Sequence, residues 1–291
     1  MSILLMLNLK GGVAKTTNAV AISECLADMG HKVLVIDADH QCLASELLLS
    51  EDGVLRSERR KQTFHDLLAA MLDDEFEEQR IPPFIIENAS NIGEGYANLH
   101  VIPCSIRIDD FQSNMARARR GYNTIDEYHK ELRRKRAMLQ RYLQTAYDYV
   151  IVDCPPSLAL QVRQVLGIGD AFIVPCIPDR LSIRGSAWLL ERLRRGNVTR
   201  IRALGTLWSL YRQQAKIHRF CVEEAGKENP PAPFDELPRP FKTVIPNASR
   251  IAEATEPGIN PSSFVAKYSA PFAHLYQDLC GEIASRLRKD A

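Results

Sequence analysis

The chain alternates short, wholly apolar runs with longer stretches whose apolar positions recur every three or four residues. Ile3–Leu7, Val33–Ile36, Leu99–Ile102, Tyr149–Val152, Ala171–Val174, Ala203–Trp208 and Thr243–Ile245 read as strands, with Pro103 and Pro175 expected to close two of them. Helical spacing runs over Thr16–Met29, Phe64–Leu72, Thr124 to about Ala146, Ser182–Arg195 and Pro271–Leu287. Thr63 and Thr124 are candidate N-caps, Gly30 and Gly196 are stops, and Pro271 suits a first turn. Strands without a polar face are buried on both sides. Their alternation with helices predicts an α/β fold, a mostly parallel twisted sheet with helices on both faces. No internal repeat interrupts the pattern, and one domain is expected over residues 1–291. The proline-rich stretch Lys227–Pro240 is expected to be a surface excursion within it.

Composition adds exclusions. The 291 residues are 45% hydrophobic and 25% charged, with a net charge of +1. No apolar run reaches the roughly 18 residues of a membrane-spanning helix. The apolar start MSILLMLNLKGG has neither a basic n-region nor a small-residue cleavage site, so a secretory signal is not expected. The seven cysteines form no C-x-x-C pair. They read as reduced thiols of a cytoplasmic protein, neither a disulfide framework nor a zinc or iron–sulfur site. Charge is nevertheless segregated. Residues 46–94 carry 12 acidic and 5 basic side chains, residues 107–141 carry 10 basic and 5 acidic, and residues 181–220 carry 9 basic with Glu191 alone acidic.

The segment with the most chemistry is Lys10-Gly11-Gly12-Val13-Ala14-Lys15-Thr16-Thr17, set between a strand and a helix. Two glycines let backbone N–H groups turn inward around phosphate oxygens, and the following helix start adds positive dipole. Lys15 can reach β and γ phosphates, and the Thr16 hydroxyl can ligate Mg²⁺. The usual G-x-x-x-x-G-K-[ST] pattern fails, because Leu9 and Ala14 occupy its outer glycine positions. Two further runs break from apolar residues into aspartate: VLVIDADHQ, with Asp37 and Asp39, and YDYVIVDCPPS, with Asp153. Carboxylates at the C-terminal ends of parallel strands, beside a phosphate loop, are placed to hold Mg²⁺ directly or through water.

These motifs resemble those of the ParA/MinD group of P-loop ATPases, whose deviant Walker A motif is K-G-G-x-x-K-[ST]-[ST]. DADHQ resembles the group's D-x-D-P-Q with His40 in place of proline, and YDYVIVDCPPS resembles its Walker B segment. LHVIPCS, Gly205–Arg212 and TVIPNASRIAEAT extend the likeness over nearly the whole chain. The resemblance implies a P-loop NTPase using ATP and Mg²⁺. It implies that Lys10 reaches across an ATP-bound homodimer to the partner's phosphates, and that Asp39 orients the attacking water. Asp37 and Asp153 would serve the metal with Thr16. Leu210 and Pro246 would line the adenine pocket. Ala14 stands where the group more often has glycine. A methyl is tolerable there at negative φ, so nucleotide binding is expected to survive.

The basic stretch 181–220 admits two readings, a solvated face with helix-end cations or non-specific contact with DNA phosphates. The resemblance favours the second, through Arg192, Arg194, Arg195 and Arg219, with Arg200, Arg202, Arg212 and Lys216 nearby. The arginines around Arg133–Arg136 read as a solvated face or partner surface. Phe272, Leu275, Tyr276, Leu279 and Ile283 follow a spacing that a core-facing helix explains, so no membrane tail is expected. Specific operator binding through an N-terminal helix-turn-helix domain is not expected either. The expected function is a cytoplasmic, nucleoid-associated positioning ATPase with weak intrinsic turnover. Stimulated by a ParB-type adaptor, it would segregate a plasmid, chromosome region or protein cargo. The alternatives are a MinD-like regulator of division or flagella at the membrane, and a P-loop ligase or iron–sulfur reductase. The reductase would need paired interface cysteines rather than lone Cys104 and Cys154, and the ligase would have no use for Lys10.

Overall fold

The computed structural model describes residues 2–196, 201–256 and 258–289. In chain order the elements are β1 (Ser2–Met6), α1 (Lys15–Asp28), β2 (Val33–Asp37), α2 (Leu43–Arg59), α3 (Phe64–Ala70), β3 (Leu99–Ile102), α4 (Phe111–Arg119) and α5 (Ile125–Ala146). There follow β4 (Tyr149–Asp153), α6 (Leu160–Leu166), β5 (Ala171–Cys176), α7 (Arg180–Arg195), β6 (Arg202–Trp208), α8 (Lys216–Ala225), α9 (Ser249–Glu253), α10 (Phe264–Tyr268) and α11 (Ala270–Lys289). Among the described residues the strands form one parallel sheet in the order β3-β2-β4-β1-β5-β6.

Period-two alternation divides each apolar strand between two cores. Leu4 and Met6 of β1 and Val33 and Val35 of β2 pack with α1, α10 and α11 on one face. Ile3, Leu5, Leu34 and Ile36 pack with α3, α5, α6 and α7 on the other. The apolar stripe of α11 belongs to the first core: Tyr276, Leu279 and Ile283 are fully buried there, with Phe272 and Leu275 partly buried beside them. Thr63 and Thr124 close capping boxes with Asp66 and Glu127 at the starts of α3 and α5. A buried network ties α1 to α10. Glu24 Oε1 accepts from Ser90 Oγ and Lys267 Nζ, each at 2.7 Å, and Glu24 Oε2 accepts from Tyr268 OH at 2.9 Å.

Two strand expectations fail for physical reasons. Pro175 does not end β5, which runs on to Cys176. The last β1–β5 pair is Met6↔Ile173, so the N–H that Pro175 lacks removes no ladder bond. Its carbonyl instead accepts from Asn8 Nδ2 at 2.6 Å. Thr243–Ile245 is not a strand. The segment runs beside β6 through single bridges, Thr206↔Pro240 and Tyr211↔Pro246. Between them the N–H and hydroxyl of Thr243 donate to Glu282 Oε1 at 2.8 and 2.6 Å, drawing the backbone away from the ladder. The proline-rich stretch packs outside β6, where Phe234 and Leu237 join Trp208 and Cys221 in a small third cluster. The seven cysteines are buried and unpaired by disulfides.

Candidate nucleotide site

Strand order places the chemistry. β1, central in the sheet, feeds the Lys10–Thr17 loop, and β4 and β2 lie beside it in turn. Asp37 and Asp153 are register partners at the ends of β2 and β4. The Thr16 hydroxyl donates to Asp153 Oδ2 at 2.6 Å. Asp153 Oδ1 is buried and has no partner among the described residues. Asp37, also fully buried, accepts from Ser45 N at 2.9 Å and Ser45 Oγ at 2.6 Å on Oδ2, and from Asp39 N at 3.1 Å on Oδ1. Burial pushes the Asp37 carboxyl up to about 6 despite the Ser45 hydrogen bonds. Burial, then the neighbouring Asp37 charge, holds Asp153 well above the usual carboxylate range. A hydroxyl, an orphaned carboxylate oxygen and a second carboxylate, crowded at two strand ends, form an oxygen donor set that fits a hard divalent cation.

The loop itself is held from below. Asn8 Oδ1 accepts from Lys10 N at 3.0 Å, while its amide donates to Pro175 O and to Ser186 Oγ at 3.1 Å. Gly12 has φ +68°, as its type permits. Ala14 corrects an expectation: its φ is +62° rather than negative, a left-handed conformation that costs an alanine about 1–2 kcal/mol. Lys15 is 7% exposed and donates to Lys10 O at 3.2 Å. Burial lowers its ammonium pKa, opposed by Asp153 and then Asp39. Asp39 Oδ1 accepts from Gln41 N at 3.1 Å and has His40 Nδ1 at 3.6 Å. Asp39 Oδ2 makes no hydrogen bond among the described residues.

Lys10 also departs from expectation. It has no structural partner in the sequence reading, yet its Nζ lies 3.4 and 3.5 Å from the carboxylate oxygens of Asp179. Asp179 is the N-cap of α7 and accepts from Ser182 N at 2.7 Å. Both side chains are about a third exposed, 31% and 33%. The pair is thus partly open to solvent at the first residue of the loop.

Leu210 and Pro246 come together. Tyr211 pairs with Pro246, Tyr211 N donates to Ile245 O at 3.0 Å, and Asn247 N returns a bond to Tyr211 O at 2.8 Å. Asn18 of α1 ties this corner to the loop, donating to Ala14 O at 2.8 Å and Ser209 Oγ at 3.0 Å. The arginines do not all converge. α7 starts at the phosphate-loop end and carries Arg192, Arg194 and Arg195 to the opposite end of the sheet, about 24 Å away for its 16 residues. Arg195 pairs with Glu191 at 2.5 Å. Arg219 lies near the start of α8 at the loop end, donating to Gln213 O at 3.1 Å. Arg200 lies outside the described residues.

Sequence reasoning missed Ser45, Asn8, Asn18 and Asp179. Asn8 alone carried a signal, a polar residue at the end of an apolar strand. The other three are brought in by α2, by the α1–β6 contact and by α7.

A parallel sheet with a glycine-bearing loop between its central strand and a helix, flanked by strand-end aspartates, defines a P-loop NTPase. The family model described as AAA_31, AAA domain, matches residues 1–202. The chain belongs to that family, within the ParA/MinD group of P-loop ATPases. It is 29% identical over 286 residues to the sporulation initiation inhibitor protein Soj of Bacillus subtilis, covering 97% of this chain and 98% of Soj. It is 28% identical over 292 residues to the chromosome partitioning protein ParA of Caulobacter vibrioides, covering 98% and 95%. The fold is also similar to that of cobyrinic acid a,c-diamide synthase from Mycobacterium smegmatis, solved with ADP and magnesium, at a TM-score of 0.68 and 20% identity over 100% and 96% of the two chains. Among the described residues no helix is long and apolar enough to cross a membrane.

Proposed function

We propose that this chain is a positioning ATPase. It closes as an ATP-sandwich homodimer, binds DNA non-specifically in that state, and segregates a plasmid, chromosome region or protein cargo with a ParB-type adaptor that stimulates turnover. The observation that carries the reading is the coincidence of the Lys10–Thr17 loop with Asp37, Asp39 and Asp153 on adjacent strand ends. Likeness to a diamide synthase shows that the fold alone does not choose the reaction. The sequence relatives and Lys10 favour positioning.

In this reading the loop N–H groups cradle the phosphates and Lys15 leaves Lys10 O to meet the β and γ oxygens. Thr16, Asp153 and Asp37 hold Mg²⁺, which offsets the negative charge of the phosphates when bound. Ser45 keeps Asp37 in place. Asp39, with Oδ2 free of intramolecular bonds, orients the attacking water and accepts its proton. Lys10 swings from Asp179 to the partner's phosphates, where a second cation supplied in trans acts as an arginine finger does. Leu210 and Pro246 face the adenine from the end of β6.

Co-sedimentation of the full chain with duplex DNA and, separately, with anionic liposomes tests the reading. ATP-dependent, salt-sensitive DNA binding without liposome pelleting is expected. ATP-dependent pelleting with liposomes and no DNA binding would move the protein to the membrane-associated alternative.

A further inference from the structure

At the end of the sheet opposite the phosphate loop, α5, α6 and α7 enclose a cleft of about 600 Å³. Arg136, Arg163 and Arg192, one from each helix, line it together with Gln140, Gly167 and Asp170. Asp170, its one acidic lining residue, is engaged elsewhere: Oδ2 accepts from Ile3 N at 2.8 Å and Oδ1 from Gln144 Nε2 at 3.5 Å. Arg163 and Arg192 make no side-chain hydrogen bond or ion pair among the described residues. Arg136 is half-buried and has a single long bond, Nε to Leu132 O at 3.4 Å. Its burial, and then the charge of Arg133, oppose its cationic form. Three guanidinium groups share the cleft with the single carboxylate of Asp170, and this cationic excess leaves an anion's place open.

The cleft is also shaped for a guanidinium. A Cβ on Gly167 would lie 2.6 Å from Arg136 Nη1 and 3.2 Å from Arg136 Cδ. Gly167 has φ −74°, which any residue adopts, so the backbone does not require glycine there. The space it leaves is the space Arg136 fills.

We infer that the cleft between α5, α6 and α7 binds a phosphate group, gripped by Arg136, Arg163 and Arg192. Planar guanidinium groups match phosphate oxygens in pairs, which favours phosphate over a simple halide. That the phosphate belongs to a DNA backbone rests on the function proposed above. If it does, the surface that touches DNA reaches beyond the end of α7 to α5 and α6, including the helix that sequence alone assigns to a solvated face or partner surface.

The test measures binding of random-sequence duplex DNA by fluorescence anisotropy over a salt series, using the full chain with Mg²⁺ and a slowly hydrolysed ATP analogue. Two variants are compared with wild type: Arg136→Gln/Arg163→Gln, which removes charge, and Gly167→Ala, which keeps every charge and displaces the Arg136 guanidinium. Loss of one phosphate contact lowers the log–log salt slope by about 0.9. We expect a fall of about that size in the double variant, a weakening of several-fold in Gly167→Ala, and unchanged basal ATPase rates in both. Wild-type DNA binding with both variants within twofold of it would overturn the cleft and leave the DNA reading standing. Weakening by the double variant alone would also overturn it, in favour of diffuse charge. If wild type does not bind DNA, the DNA reading fails, and pyrophosphate decides the cleft with the loop saturated by ADP and Mg²⁺. A rise in melting midpoint in wild type that the double variant lacks keeps the phosphate site, and no rise removes it.

Discussion

Replacing Asp179 by asparagine isolates the ion pair that parks Lys10. Asparagine caps a helix about as well as aspartate, so α7 keeps its start and the Ser182 N–H keeps an acceptor. What is lost is the charge opposite Lys10 Nζ at 3.4 Å. Two charges at that distance attract by about 1 kcal/mol in water-like surroundings. With both side chains about a third exposed and screened by salt, about 0.5 kcal/mol is the better figure. The proposed sandwich dimer would break two such pairs, so freeing both lysines is expected to favour dimerisation by about 1 kcal/mol, or about fivefold. Sedimentation velocity with a slowly hydrolysed ATP analogue reads this directly. Asp179→Asn is expected to dimerise at about a fifth of the wild-type protein concentration at low salt, with the difference shrinking toward 0.5 M salt. In a Lys10→Ala background the substitution is expected to do nothing, which closes a double-mutant cycle. Equal dimerisation of Asp179→Asn and wild type, or a benefit that survives without Lys10, would refute the argument that this pair restrains a lysine acting in trans.

Other perturbations follow from the same geometry. Lys15→Ala removes the ammonium proposed to meet the β and γ oxygens and is expected to weaken ATP binding more than tenfold, about 1.4 kcal/mol, by titration calorimetry; a smaller loss would undo the loop assignment. Ala14→Gly relieves a left-handed alanine and is expected to add about 1 kcal/mol of stability, a rise of about 2 °C in Tm by calorimetry, whereas a fall would mean that the methyl packs usefully. Ser45→Ala takes one hydrogen bond from buried Asp37 and leaves the Cys104 N–H, now 2.8 Å from Ser45 Oγ, without its acceptor. The expected loss is about 1–3 kcal/mol in denaturant unfolding together with weaker Mg²⁺–nucleotide binding, and unchanged stability would show that Asp37 does not need this support.

Most of the sheet was legible because its strands carry no polar face and sit between marked helices. Leu99–Ile102 has the bounds its apolar run gives, and the Thr124 helix runs to Ala146 as its periodicity requires. What was hidden depends on contacts between distant segments. Pro175 reads as a strand end until β1 is seen to stop short of it. Thr243–Ile245 reads as a strand until Glu282, 39 residues away from Thr243, is found holding its backbone. At the site, loop and aspartates were legible from local motifs, since the chain itself fixes their spacing. The partners that steady them were not. Asp179 stands 169 residues from Lys10, and nothing in either local sequence joins them. The sign of φ at Ala14 was equally out of reach, because an alanine gives no hint of a left-handed turn.

In the proposed cycle, ATP binding, before hydrolysis, creates the DNA-binding dimer. Asp39→Ala tests it most directly, since it removes the residue assigned to the attacking water and leaves the metal-side carboxylates Asp37 and Asp153 in place. Measured by sedimentation and by anisotropy on random-sequence DNA, the variant with ATP and Mg²⁺ is expected to stay dimeric and DNA-bound while its turnover nearly stops, and ADP is expected to support neither dimer nor DNA binding. DNA binding of equal strength with ATP, with ADP and without nucleotide, or wild-type turnover in Asp39→Ala, would contradict the account.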